Sequence, residues 1–298
     1  MIKFIEALII LIFLVPLASN AQIINEQENL LFEDPFFYEK FIDSKNIKSI
    51  TGEFHYKRDH QKMYNKGVIV KYDFDKNGKL KRKCNTIKGP GNKIDTVFVF
   101  YEYNSNGKLT TKRSVDHSKS VALSYIYDKK GNVLQQITFS GSNYKASPEV
   151  LSDDKPIKIN IDKFEFHTVS PGFKIKKFLN TSGNPYREIT YLFNEEGKVI
   201  EERNTLLSIR RVEKKQYQYN ATGQLVKITE IPDVEKTIEW IYAYNEQGRL
   251  IEIRKLKNSE PVFFTQFMLD SQGRVINQLS RNYSEKVIDV IKFRYEFY

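Results

Sequence analysis

Asp73 to Gly78 reads DFDKNG, which is how a calcium loop of the form D-x-D-x-N-G begins. Such a loop needs alternating oxygen ligands, a glycine at the bend and a bidentate glutamate at its far end. Cys84 stands where that glutamate belongs, so the ligand set is incomplete. His55, His60, His117 and His167 lie at spacings that build no metal site. No G-x-S-x-G, H-E-x-x-H or phosphate loop occurs. Carboxylates are plentiful, but Glu201, Glu202 and Glu252 stand among Lys and Arg on strand-like stretches. They read as cross-strand ion partners, not as an acid–base pair. The chain is therefore expected to be non-catalytic, without cofactor or metal. One place has sugar-binding chemistry: Trp240 and Tyr242 offer flat rings, and Arg254 a guanidinium for an acidic group. The other reading of these rings is core packing.

The elements that carry these residues come from one recurring phrase. YAYNEQGRLIEIR begins at Tyr242, and close copies read YDFDKNGKL from Tyr72, YEYNSNGKL from Tyr101, YIYDKKGNV from Tyr125, YLFNEEGKV from Tyr191, YQYNATGQL from Tyr217 and FMLDSQGRV from Phe267. A degenerate copy, FLNTSGNP, holds Asn180 and Gly183. The period is roughly 25 residues, each unit too small to bury its own apolar face. Tyr-x-Tyr alternates with the period of a strand. An Asp or Asn then precedes a glycine by three positions: Asp75 and Gly78, Asn104 and Gly107, Asp128 and Gly131, Asn194 and Gly197, Asn220 and Gly223, Asn245 and Gly248, Asp270 and Gly273. Asx suits the first position of a type I turn, and glycine the left-handed residue that closes the hairpin with a bulge. Simple alternation then puts Tyr244 opposite Leu250 and Tyr242 opposite Glu252 on one face. Ile241, Ala243, Ile251 and Ile253 fall on the other. Repetition makes an aromatic ladder near the turns.

The phrase Y-x-Y-[DN]-x-x-G-[KRQN]-[LV] resembles the YD repeat of the RHS family, from roughly Val68 to Tyr298. The resemblance implies strand–turn–strand units winding into a large antiparallel β-sheet. In long family members that sheet closes into a shell around a toxic C-terminal domain. This chain has fewer repeats and no recognisable self-cleaving or toxin segment. It is similar instead to short, exported YD-repeat proteins of Gram-negative bacteria.

The rest of the chain bounds the reading. Lys3, an apolar run from Ala7 to Leu17 and small residues Ser19 and Ala21 form a signal peptide over residues 1–21. No cysteine follows the cleavage site, and no apolar run is long enough for a transmembrane helix. Residues 22–48 read as a helical cap broken at Pro35, and 49–298 as the YD-repeat β domain, with an insertion at about 140–171 that holds a strand near Ile157–Phe166. Cys84, the single cysteine, excludes an internal disulfide framework and reads as a spectator. The net charge of +10 fits either a self-repelling soluble surface or attraction to a polyanion. Export and the lack of any nucleic-acid motif exclude nucleic acid as partner. The expected fold class is all-β: an antiparallel meander of hairpin repeats forming a twisted or curled sheet. The expected function is a non-catalytic exported scaffold of the envelope, periplasmic, outer-membrane-associated or extracellular. Its expected partner is an envelope protein or an anionic polysaccharide. The alternative is a small outer-membrane β-barrel, which the terminal FRYEFY suggests and the charges on both strand faces oppose.

Overall fold

The computed structural model describes residues 39–58, 60–116, 119–142, 157–233, 236–285 and 287–298. The signal segment, most of the proposed cap and the centre of the insertion lie outside the described residues. A short helix, α1 (Glu39–Ser44), leads into β1 (Ile47–Arg58), β2 (Tyr64–Phe74), β3 (Leu80–Lys88), β4 (Ile94–Tyr103), β5 (Leu109–Val115) and β6 (Lys119–Tyr127). Then come β7 (Val133–Ser142), β8 (Ile157–Ser170), β9 (Phe173–Leu179), β10 (Pro185–Phe193), β11 (Val199–Leu206) and β12 (Arg211–Tyr219). The chain continues through β13 (Leu225–Asp233), β14 (Lys236–Tyr244), β15 (Leu250–Lys257), β16 (Glu260–Leu269), β17 (Val275–Asn282) and β18 (Val287–Phe297). Each strand pairs antiparallel with the next, giving one 18-stranded sheet. The meander closes on itself, because β1 also pairs with β18 through Ile50–Tyr295, Gly52–Phe293 and Phe54–Ile291. The wall is a barrel with no free edge, which removes the unpaired backbone row that an open sheet would expose. β8 pairs with both β7 and β9, so the wall is continuous across the insertion.

The turns form as their residues dictate. Gly248 sits at φ 72°, in the left-handed region, and donates its N–H to the Asn245 carbonyl at 2.9 Å. The Asn220 side-chain oxygen accepts from the N–H of Thr222 at 3.1 Å and of Gln224 at 2.8 Å. Asp75 does the same for Asn77 and Lys79, both at 2.9 Å. The DFDKNG carboxylates are thus engaged in the fold, since Asp73 also accepts from Arg82 Nε at 2.7 Å.

Beyond the turn, the register departs from simple alternation. Tyr244 pairs with Leu250 as expected, but Ala243 pairs with Glu252 and Tyr242 with Ile253. Ile251 is an extra residue, a β-bulge on the second strand. The same shift follows the turns of β2–β3, β4–β5, β6–β7, β10–β11, β12–β13 and β16–β17. A one-residue slip moves every later side chain to the other face. Ile253 and Lys255 therefore join the ring-bearing face, while Glu252 and Arg254 leave it.

The aromatic face is the concave one. Tyr72, Tyr242 and Phe267 are 2%, 9% and 4% exposed, whereas Ile126 and Met268, on the alternate positions, are 45% and 47% exposed. In a single-layer wall, burial of such large rings marks the face on which side chains converge. Ile42 of α1 is fully buried among Ile50, Tyr72, Tyr101 and Phe293, so α1 caps the mouth at the turn end. A Cβ on Gly78 would strike the Glu39 carbonyl and the Asp43 N–H, so glycine there serves both the turn and the helix contact.

Two links join one unit to the next. The second tyrosine of the phrase donates its hydroxyl to the first carbonyl of the preceding strand: Tyr103 to Leu80 at 2.9 Å, Tyr127 to Leu109, Tyr219 to Val199 at 2.8 Å, Tyr244 to Leu225 at 2.7 Å and Tyr295 to Val275 at 2.7 Å. In five units the residue after the turn glycine reaches forward to the following turn, whereas Asn132 and Arg274 bond back to Asp128 and Asp270 of their own turns. Lys79 donates to the Gly107 carbonyl at 3.2 Å and Gln224 to the Gly248 carbonyl at 2.6 Å, while Lys108, Lys198 and Arg249 lie against Gly131, Gly223 and Gly273. The same cations cover the stapling rings, with Lys79 5.1 Å from the Tyr103 ring and Lys198 5.5 Å from the Tyr219 ring. Thus Lys79 and Gln224, at the [KRQN] position of the phrase, are inter-unit donors.

Candidate functional site

The bulge separates the three residues nominated for ligand stacking. Trp240 and Tyr242 alternate along β14 and both face inward. Lys255, opposite Trp240 in the register, places its ammonium 4.5 Å from the indole ring. Tyr242 packs against Leu225 and Ile228, and burial pushes its phenol pKa well above the usual tyrosine range. Arg254 pairs with Ile241 and faces outward. The rings therefore belong to the interior, and the guanidinium to the outer surface.

That outer surface is rich in ion pairs. Arg254 lies 2.5 Å from Glu252, Arg82 2.7 Å from Asp73, and Glu201 2.6 Å from both Arg203 and Lys214. Glu53 pairs with Arg294 across the closing seam, and Lys227 with Glu239. Burial acts to raise the Glu201 pKa, but Lys214 and Arg203 outweigh it and hold the carboxyl below its ordinary value.

Between β14 and β18 the outer surface forms a groove of about 680 Å³. One cross-strand row crosses it. Ile241 pairs with Arg254, Arg254 with Phe264, Phe264 with Arg281, and Arg281 with Ile288. Leu279 adds to the apolar floor. The Arg281 guanidinium lies 5.7 Å from the Tyr283 ring and pairs with no carboxylate among the described residues. The row sets two cations on either side of a phenyl ring, over aliphatic side chains. This arrangement suits an anionic group attached to an apolar body. Arg254 was legible in sequence. Arg281, Phe264, Ile241 and Ile288 were not, because they converge only through the register of five strands. Among the described residues, no group of three His, Cys, Asp or Glu side chains stands close enough to hold a metal ion.

Residues 177–285 match the Teneurin YD-shell family. The match bears out the YD-repeat resemblance, and the matched segment contains β14 to β17, including Trp240, Arg254 and Arg281. A porin-like protein from Bacteroides uniformis is similar at 10% identity over 84% of this chain and 98% of that one, with a TM-score of 0.35. The TcdB2–TccC3 structure is similar at 10% identity over 87% of this chain and 16% of that one, with a TM-score of 0.18. A LolA superfamily protein from Nitrosomonas europaea is similar at 8% identity over 86% and 89%, with a TM-score of 0.20. At such scores the architecture rests on this chain's own strand pairing. No curated protein matches the chain.

Proposed function

We propose that the chain is an exported, non-catalytic scaffold of the bacterial envelope, a water-facing closed shell that holds a partner on its outer surface. The charges on the outer wall face carry this reading. A membrane barrel is apolar outside and polar inside. Here the rings Tyr72, Tyr242 and Phe267 are buried inside, and Asp73–Arg82, Glu252–Arg254 and Glu201 with its two cations lie outside. An Arg or Lys at the bilayer midplane costs about 2–4 kcal/mol, so outward Arg82, Arg203, Lys214 and Arg254 together would cost on the order of 10 kcal/mol. The signal-like N-terminus supports export, and the outer groove supports partner binding.

One observation favours a small outer-membrane barrel instead: the strands close without an edge, as a spanning sheet requires. Fractionation of cells making the full precursor separates the two. Recovery of processed chain in the periplasm, the medium or a high-salt membrane wash is the expected result. Release by detergent alone would overturn the scaffold reading in favour of the barrel.

A further inference from the structure

Resting on that reading, we propose that the groove over β14–β18 takes an extended acidic peptide segment with an acidic–x–apolar–x–acidic pattern. Strands lie about 4.8 Å apart, so Arg254 and Arg281, flanking Phe264 in one row, stand about 9.6 Å apart at their backbones. In an extended peptide, residues i, i+2 and i+4 share a face, and the outer pair is about 13 Å apart. Two flexible arginine side chains span that difference, and the central apolar side chain then lies over Phe264.

The apolar lining favours a peptide over an acidic polysaccharide. Ile241, Leu256, Phe264, Leu279 and Ile288 make most of the lining apolar, with Gln266, Ser280 and Tyr283 as the polar groups beside the arginines, so sugar hydroxyls set over the apolar stretch would lose their water. Aliphatic and phenyl surface instead favours apolar side chains. The closed wall has no free edge, so a peptide cannot be captured by strand addition and must be held by side chains such as these. The two arginines are also unequal. Arg254 already leans on Glu252 at 2.5 Å, whereas Arg281 lies near the Tyr283 ring and pairs with no carboxylate among the described residues. An incoming carboxylate must compete for Arg254 but not for Arg281.

The test is fluorescence anisotropy of the purified full chain with a dye-labelled peptide containing Glu-Thr-Leu-Thr-Glu. The control has the same composition but the acids on opposite faces. The patterned peptide should bind, and more weakly at high salt. Arg281→Ala should weaken binding by about tenfold. Arg254→Ala should weaken it less, and Glu252→Gln should strengthen it by freeing Arg254. The gain expected from Glu252→Gln is a result that loss of folding cannot imitate. Equal binding of the control peptide, indifference to Arg281→Ala, or binding of heparin that the peptide cannot displace would overturn the proposal. The location of the chain is tested separately: binding retained by a chain found only in detergent extracts would sink the scaffold reading and leave this ligand class standing.

Discussion

Replacing Tyr244 by phenylalanine deletes one hydroxyl and keeps the ring. That hydroxyl donates to the Leu225 carbonyl at 2.7 Å. Leu225 lies beyond the Lys227–Ile241 pair at which the β13–β14 ladder ends, so the bond ties down a carbonyl that the ladder leaves out. A neutral hydrogen bond is worth about 0.5–1.5 kcal/mol net, and a carbonyl at the barrel mouth regains some water, so a loss of about 1 kcal/mol is expected. Equilibrium urea unfolding, followed by circular dichroism and by the fluorescence of inward-facing Trp240, reads this directly. With a slope of about 3 kcal/mol per molar, the midpoint should fall by about 0.3 M with the slope unchanged. The same bond recurs at Tyr103, Tyr127, Tyr219 and Tyr295. The nearest staples, Tyr103 with Tyr127 and Tyr219 with Tyr244, lie two strands, or about 9.6 Å, apart, near the distance at which effects begin to add, and the others lie farther. The fivefold Tyr→Phe variant should therefore lose about 5 kcal/mol, a large share of a typical domain's 5–15 kcal/mol. A fivefold variant that unfolds with the wild-type chain would refute the stapling argument and leave ring burial alone as the link between units.

Other consequences follow from the same geometry. At the closing seam a Cβ on Gly52 would lie 2.8 Å from Ile291, 2.9 Å from Phe293 and 2.9 Å from Val70, so Gly52→Ala should cost about 1–3 kcal/mol by overpacking, measured as a lowered urea midpoint. Gln224→Ala removes the donor to the Gly248 carbonyl and should cost about 1–2 kcal/mol, whereas Gln224→Lys, matching Lys79 in the first unit, should restore much of it. Burial pushes the phenols of Tyr219 and Tyr244 up to about 12. Unfolded tyrosine ionises near pH ~10, so the folded chain keeps protons that the unfolded chain loses. Stability should be full below about pH 10 and fall as pH rises from there through about 12. Urea midpoints that stay constant across that window would contradict the burial of these rings.

Much of the wall is local and was therefore readable. Tyr-x-Tyr announces a strand with one buried face, and the Asn245-to-Gly248 spacing announces a turn whose glycine is left-handed, as its φ of 72° bears out. The parity of the second strand was misread. RLIEIRK carries apolar residues at Leu250, Ile251 and Ile253, so its pattern is compatible with either face. Only the bulge at Ile251 decides that Ile253 turns in while Glu252 and Arg254 turn out. That single residue also moved Arg254 away from Trp240 and Tyr242.

The sequence by itself determined the hairpin unit, its turn chemistry, its repetition and the ladder of buried rings, because each depends on residues within a few positions of one another. Only the tertiary structure decided closure, the polarity of the two faces and the groove. Closure requires β1 to meet β18 at pairs such as Gly52–Phe293, separated by nearly the whole chain. The groove requires Ile241, Arg254, Phe264, Arg281 and Ile288 to fall in one row, which no single strand specifies and only the accumulated register of five strands can set.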